Sequence, residues 1–146
     1  MTDRELYVPR IFSAYVQVRD LDRSLSFYQD TLGLEIECRD GALALLRSGG
    51  DSEHTLVIRQ IGDHAVRRGP AEVGVTRLTF RMRDSDDLDR AEEQLSKHQV
   101  PHRRQHAVSA DYLTTRDPDG LRIVLFRADD ASLLAAAPPA LLYWPE

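Results

Sequence analysis

The sequence predicts an α+β fold built from two tandem βαβββ modules. Residues 13–20 and 77–84 are the same element written twice, an alternating apolar and polar strand that ends in an aspartate. An amphipathic helix pattern follows each copy, and three further strand patterns follow each helix. Aligning Asp20 with Asp84 also pairs Ser13 with Arg77. Residues 1–146 are therefore predicted to form a single domain of two half-size modules.

Module one is predicted over residues 11–61. Asp20 can cap its helix, because a side-chain oxygen there accepts from a free backbone N–H of the first turn, and Gly33 is a typical helix stop. The dipeptide Asp40-Gly41 is a hairpin signal between two strands. The predicted strands cover residues 11–18, 34–38, 42–47 and 54–61.

Module two is predicted over residues 74–127. It follows a linker at 62–73 that has no periodicity, and it precedes a tail at 128–146. Asp84 or Ser85 can cap the second helix. The motif Asp117-Pro-Asp-Gly120 is a strong turn signal. The predicted strands cover residues 74–82, 100–108, 112–115 and 121–126.

Composition excludes several classes of function. Hydrophobic residues are 42% and charged residues 29%, which is typical of a soluble globular protein, and no apolar run approaches a membrane span. A net charge of −5 offers no basic field to a phosphate backbone, so neither nucleic acid nor a membrane is expected as a partner. The single cysteine, Cys38, cannot form an internal disulfide and is expected to be a buried or edge side chain. With no signal-peptide pattern at the N-terminus, a cytoplasmic location is expected.

Two stretches carry a family resemblance. The sequence Val18-Arg-Asp-Leu-Asp-Arg-Ser-Leu-Ser-Phe-Tyr28 followed by Thr31-Leu-Gly-Leu34, and later the turn and strand at 117–126, resemble the vicinal oxygen chelate superfamily. That superfamily includes glyoxalase I, bleomycin-resistance proteins and type I extradiol dioxygenases. Further stretches at 53–58, 77–82 and 86–91 are most similar to the non-catalytic N-terminal module pair of the dioxygenases. The resemblance implies a curled, open, mixed β-barrel-like sheet with flanking helices around a cavity.

The resemblance also implies where a divalent metal would be held. The first-strand ligand positions fall at Ser13 and Arg77, and the usual glutamate of the final strand falls at Val124. A guanidinium stays charged and repels a cation, and valine has no donor atom. No metal site and no cofactor is therefore predicted. The open alternative is a relocated Fe(II), Mn(II) or Zn(II) site, for which His102 and His106 share strand parity.

The same positions suggest a small-molecule site. Tyr15 shares strand parity with Ser13, and Thr79 shares it with Arg77, so these side chains can line one concave surface. Aromatic, hydroxyl and guanidinium groups together suit a small planar aromatic acid, although a structural salt bridge is the alternative role for the cation at position 77. The predicted ligand-binding residues are Ser13, Tyr15, Arg59, Arg77, Thr79, Thr114 and Val124.

Two residues are candidates for catalysis. The resemblance places His54 where extradiol dioxygenases keep a histidine that assists proton transfer, and Tyr112 where they keep a tyrosine near the substrate. A histidine with a pKa near neutrality can act as a general base. The alternatives are an exposed histidine at the start of a strand and a tyrosine packed in the core.

Three functions follow from this interpretation. The first is a metal-free glyoxalase, bleomycin-resistance or dioxygenase-like protein that binds a small aromatic or antibiotic-like ligand in the barrel cavity, as a homodimer. The second is an extradiol-dioxygenase-like or glyoxalase-like enzyme with a rebuilt or metal-free site. The third is a non-catalytic partner of a dioxygenase. Whether any reaction is catalysed stays open.

Overall fold

The computed structural model describes residues 13–47, 56–66, 72–106 and 110–128, and within them each module has the order βαβββ. The strands are β1 (Ala14–Val18), β2 (Glu35–Asp40), β3 (Leu43–Arg47), β4 (Leu56–Gln60), β5 (Arg77–Arg81), β6 (His102–His106), β7 (Ala110–Arg116) and β8 (Arg122–Ala128). The helices are α1 (Leu21–Leu25), a π-helix (Ser26–Thr31) that continues it, and α2 (Ser85–Lys97). The predicted α+β fold of two modules is confirmed.

The eight strands form two four-stranded sheets of the same topology. Sheet one has the order β1-β4-β3-β2 and sheet two the order β5-β8-β7-β6. In each sheet the first and last strands of the module pair in parallel, and the other neighbours are antiparallel. Within the described residues no strand of one sheet pairs with a strand of the other, so the sheets stay open. Cys38 lies on the edge strand β2, where it is exposed.

The repeated aspartates cap both helices. The carboxylate of Asp20 accepts from the backbone N–H of Arg23 at 3.2 Å, and that of Asp84 accepts from the N–H of Asp87 at 3.0 Å. Both aspartates have extended backbone angles, as an N-cap requires. The cap is therefore Asp84 rather than Ser85. The aspartate that is repeated in the sequence makes the same capping hydrogen bond in both modules.

The first helix differs from its prediction as a continuous α-helix. After Leu25 it widens into the π-helix, where the N–H of Leu32 bonds the carbonyl of Phe27 at 3.2 Å. The wider turn is associated with burial of three of its side chains, those of Phe27, Tyr28 and Thr31. Gly33 then ends the helix at φ +82, as predicted.

In module two, β5, β6 and β8 begin later than predicted, whereas β7 begins earlier, at Ala110. The strand predicted at 74–82 is β5, and the one predicted at 100–108 begins only at His102, because Gln99 is left-handed at φ +57 and Pro101 cannot donate to a ladder. Positions 54, 55, 107 and 108 and the tail after residue 128 lie outside the described residues.

One hydrophobic cluster joins the modules on the helix side of both sheets. It includes Leu21 and Leu25 of α1, Leu88 and Leu95 of α2, and inward residues of β1, β3, β4, β7 and β8. A buried hydrogen bond also crosses between modules: the hydroxyl of Tyr28 donates to Asp117 at 2.8 Å. The faces of the sheets turned away from this cluster are called the open faces below, and they carry the candidate site.

Candidate ligand-binding site

Sheet one turns a mixed polar and apolar set of side chains to its open face. Along β1 the side chains alternate, with Val16 and Val18 packed on the core while Tyr15 and Gln17 point away. Tyr15 is 57% exposed and lies directly opposite Val57 of β4. Of the predicted ligand-binding residues, this sheet therefore brings Tyr15 and Arg59 to one face.

Arg59 is paired directly with Gln17 on β1, which fixes its position one step along from Tyr15. Its neighbour Ile58 is fully buried in the core, so strand alternation places the guanidinium on the open face, where it is exposed. Ser13 precedes β1, is half-buried and has the parity of Tyr15. The phenol and the guanidinium lie on neighbouring strands of the same open surface.

Sheet two brings three predicted residues into a single row. Val124 of β8 lies opposite Thr79 of β5 on one side and opposite Thr114 of β7 on the other. The row is flanked by Ile123 and Leu125, which point to the core. Sequence parity alone had placed Thr79 beside Arg77; the register adds that both threonines flank the position of the family's missing glutamate.

The middle of this open face is buried although it faces away from the core. Tyr112, Val124 and Phe126 are each at most 5% exposed, yet none belongs to the hydrophobic cluster that joins the modules. Thr114 lies beside them, and its hydroxyl is buried without a hydrogen-bond partner. A buried hydroxyl without a partner costs free energy, so this position favours a ligand that can bond to it. Tyr112, a candidate catalytic residue, is packed rather than exposed.

A row of arginines crosses the end of the same face. Arg77 of β5 pairs with Arg122 of β8, which pairs in turn with Arg116 of β7. Like charges directly opposite each other on a sheet are unfavourable. The guanidinium of Arg116 also donates to the carbonyl of Gly120 at 2.9 Å. This end of the face is strongly cationic and suits an anionic group.

The predicted residues thus fall into two sets, one on each sheet. His54 lies outside the described residues. His102 and His106 share a strand face, as expected. It is the face opposite to Thr114, because the partner of Thr114 is Arg103, the next residue after His102 along the strand. His102 bonds the carbonyl of Val100 at 2.8 Å and His106 bonds Asp111 at 2.7 Å. In the described part of the chain, no three His, Cys, Asp or Glu side chains are grouped so that they could hold a metal.

A groove of about 880 Å³ lies between the modules and is formed by described residues. Module one contributes Phe27 and Thr31 of the π-helix, and module two contributes the turns at 98–101 and 117–120. Of the predicted site residues that the structure describes, Thr114 alone lines it. Five arginines that were not among the predicted site residues also line this groove: Arg19, Arg23, Arg103, Arg116 and Arg122. A signal was present for two of them, because they lie two residues from Thr114 and Val124 with the same strand parity.

The carboxylate of Asp117 organises the turn beside the groove. Its two oxygens accept from the Tyr28 hydroxyl and from the backbone N–H groups of Asp119 and Leu121, at 2.8 to 3.0 Å. Burial raises the pKa of Asp117 despite these donors, and burial together with the neighbouring carboxylate raises the pKa of Tyr28. Asp117 is thus a structural acceptor whose bonds are all internal to the protein.

The family is shown by sequence comparison. The model of the glyoxalase/bleomycin resistance protein/dioxygenase superfamily matches residues 10–125. The chain belongs to this superfamily. No curated protein sequence matches the chain significantly. No described helix is both long and apolar enough to cross a membrane.

Solved structures of this superfamily share the fold. A glyoxylase/bleomycin resistance protein/dioxygenase domain from Frankia sp. EAN1pec is 20% identical, with a TM-score of 0.71 over 87% of this chain and 97% of that one. A glyoxalase/dioxygenase from Nostoc punctiforme is 18% identical, with a TM-score of 0.66 over 88% and 100% of the two chains. A lactoylglutathione lyase from Agrobacterium tumefaciens is 20% identical, with a TM-score of 0.61 over 81% and 92%. At these identities the likeness establishes the fold.

The residues at the superfamily's usual metal positions do not fit a divalent cation. Val124 is an aliphatic side chain 1% exposed, and the two residues opposite it are threonines. Arg77 and Arg122, which follow on the same face, are cations. This donor set repels a metal ion and attracts an anion. The groups that this site offers to a ligand are hydroxyl, aromatic and guanidinium groups.

Proposed function

We propose that this member of the superfamily binds a small anionic aromatic ligand on the open faces of its sheets, without a metal at the usual positions. The observation that carries the proposal is the row Thr79, Val124 and Thr114, whose Thr114 hydroxyl is buried and lacks a partner. A ligand oxygen or hydroxyl bonded there would remove the cost of that orphaned group.

The surrounding groups match the other parts of such a ligand. Val124 and the ring of Tyr112 are buried beside Thr114, so a ligand that reaches the Thr114 hydroxyl enters an apolar environment suited to an aromatic ring. The neighbouring row of Arg77, Arg122 and Arg116 supplies charge-assisted donors for a carboxylate or phenolate. Ligand pockets combine an apolar lining with a few placed polar groups in the same way. Binding, rather than a reaction, is all that these groups require.

The proposal includes a homodimer. Tyr15 and Arg59 lie on sheet one, whereas Thr79 and Thr114 lie on sheet two, and within the described ranges no ladder joins the sheets. The strands β1 and β5 each have one edge with no strand beside it in those ranges, and such edges invite pairing with another chain. A second copy whose sheet one faces this sheet two would complete the set. Sedimentation equilibrium should give twice the chain mass, and a monomer at the concentrations that bind ligand would contradict it.

The binding proposal is tested by calorimetric titration with 4-hydroxybenzoate, using 4-hydroxybenzamide as the neutral analogue. We expect saturable binding of the acid, unchanged by a chelator, and much weaker binding of the amide. Arg77→Gln should weaken binding of the acid by about tenfold, the usual worth of one charge-assisted contact. Arg90→Gln is the matched control, because Arg90 is an exposed side chain on α2.

Three results would contradict the proposal. The first is the absence of saturable binding by 4-hydroxybenzoate. The second is an equal loss in the variants at positions 77 and 90, which would indicate a general charge effect. The third is binding that a chelator abolishes, which would show that a metal ion is part of the site.

A further inference from the structure

The groove between the modules has the composition of a second binding site. Its apolar surface comes from Phe27 and Thr31 of the π-helix and from Val100 and Pro101 of module two. A volume of about 880 Å³ is within the range of small-molecule sites and leaves room for a ligand of drug size. The open-face residues Tyr15, Arg59, Arg77, Thr79 and Val124 do not line it, whereas Thr114, Arg116 and Arg122 lie on both the groove and the open face.

Cationic side chains outnumber acidic side chains in the lining of the groove. The carboxylate oxygens of Asp117 accept hydrogen bonds from Tyr28 and from its own turn, and Asp119 accepts one from the backbone N–H of Arg19. Asp30 is the acidic side chain that this leaves exposed in the groove. The cationic side chains that line the groove are Arg19, Arg23, Arg103, Arg116 and Arg122.

Two of these cations, Arg23 and Arg103, lie on different modules. Arg23 projects from α1 and Arg103 from β6, both are exposed, and the side chain of neither forms a hydrogen bond or ion pair with another described residue. Arg103 lies directly opposite Thr114, whose buried hydroxyl also lacks a partner. A guanidinium next to an orphaned hydroxyl can bond an oxyanion through both groups.

The backbone around the groove is unusual at two points. The π-helix forms part of the wall in module one, and Gln99, at φ +57, lies in the wall of module two. Wide helical turns and left-handed residues other than glycine both carry a cost and are concentrated at functional sites. Both irregular segments border the same groove, although they are far apart in the sequence.

We propose that this inter-module groove is a binding site for a small organic phosphate, which adjoins the open-face site and shares Thr114 with it. The phosphate is held by Arg103 and the Thr114 hydroxyl, with Arg23 closing from the other module, and the organic part packs on Phe27. A phosphate rather than a carboxylate follows from the excess of guanidinium groups over the one exposed acid, because a dianion neutralises more of that charge.

The test is an NMR titration of the isotope-labelled full chain with phenyl phosphate, with inorganic phosphate and phenol as the two fragments. Saturable amide shifts are expected at Thr31, Gln99 and Gly120, which line the groove. Arg103→Gln and Arg23→Gln should each weaken phenyl phosphate binding by about tenfold. Arg81→Gln is the matched control, because Arg81 is exposed on sheet two and lies outside the groove.

The outcomes separate the sources of the signal. Weaker binding of inorganic phosphate at the same amides supports the proposal, whereas equally tight binding would contradict a contribution from the organic part. Phenol that shifts these amides as strongly as phenyl phosphate, or a loss at Arg81→Gln equal to that at Arg103→Gln, would overturn it. Unchanged phenyl phosphate binding in Arg77→Gln, with 4-hydroxybenzoate binding weakened, would show that the two ligands depend on different cations.

Discussion

Module one and module two share a frame but differ on their surfaces. Both have the same sheet order, the same parallel pair of first and last strands, and an aspartate cap with the same hydrogen bond. The open face of module one mixes Tyr15, Val57 and Gln17, whereas that of module two ends in the arginine row and has a buried centre. Groups that start helices and order strands were kept in both modules, while the groups that would contact a ligand diverged.

The helices show a second difference. Module two has an unbroken α-helix of 13 residues, while module one has five α-helical residues followed by a π-helix of six. The irregular helix carries Tyr28, which bonds module two, and Phe27, which lines the groove. The module with the less regular helix thus makes the contact between modules.

The largest effect is expected at that contact. Asp117→Ala removes the acceptor of the buried Tyr28 hydroxyl and of two backbone N–H groups, and we expect a loss of about 3 kcal/mol in the free energy of unfolding. Urea denaturation measures it. Tyr28→Phe should cost less, about 1 kcal/mol, because Asp117 keeps its two backbone donors.

The control for this change is Asp22→Ala. Asp22 forms an ion pair with Arg39, but its side chain is 78% exposed, so its removal should change the free energy of unfolding by less than about 0.5 kcal/mol. Similar losses for Asp22→Ala and Asp117→Ala would mean that the modules do not depend on the buried bond.

The two caps provide a direct comparison of the modules. Asp84→Ala and Asp20→Ala each remove one side-chain acceptor from a helix start, and each should cost about 1 kcal/mol by urea denaturation. The cost should be greater for Asp84, because its helix has 13 residues and depends more on its first turn. Asn variants at both positions should recover most of the loss. A cap variant without effect would show that the repeated aspartate is not what starts that helix.

Much of this frame could be predicted from the sequence, because it depends on local rules. Caps, the Asp40-Gly41 hairpin and alternating strands each involve neighbouring residues, so Asp20, Asp84 and Gly33 were assigned correctly. Parity also placed Thr79 with Arg77 and Tyr15 with Ser13 on shared faces.

The remaining features depend on contacts between distant residues. The π-helix after Leu25 carries Tyr28, whose hydroxyl bonds Asp117, 89 residues away, and no local pattern encodes that contact. The register that puts Val124 between two threonines is likewise set by sheet pairing. The groove could not be predicted for the same reason, because its walls come from both modules.

The ends of the helices allow a smaller, oppositely signed test. Gly33 at φ +82 ends the helix of module one, and Gln99 at φ +57 ends that of module two, where the N–H of Val100 bonds the carbonyl of Leu95. Gly33→Ala should cost about 1 kcal/mol, from backbone strain alone, because no atom lies near the added methyl group. Gln99→Gly should gain about 0.5 kcal/mol, since glycine adopts this backbone freely. Thermal unfolding of both variants measures the two signs, and a loss in Gln99→Gly would contradict the argument.

The smallest expected effect is on the free energy of unfolding at acidic pH. In module one the helix start is tied to the last strand by a neutral bond, from the N–H of Leu21 to the side-chain oxygen of Gln60. In module two the tie is charged: Arg127 donates to Ser85 and to Asp111, which also bonds His106. Burial opposes ionisation of Asp111, but the bonds from His106 and Arg127 outweigh it and lower the pKa of this carboxyl.

A carboxyl with a lowered pKa contributes stability that is complete above its unfolded value of 3.8 and is lost as the pH falls through its folded value. Asp111→Asn should therefore flatten the acid limb of a plot of unfolding free energy against pH, below 3.8, while leaving its shape near neutrality unchanged. Gln60→Glu, which puts a titrating group into the corresponding tie of module one, is the matched variant and should create an acid dependence where none is expected. An unaltered acid limb in Asp111→Asn would mean that the charged tie does not stabilise the folded chain. Asp111 lies on β7, so its bond to Arg127 acts on the helix start only through Arg127, which itself donates to Ser85; the comparison therefore measures how far a charge next to the tie stabilises it.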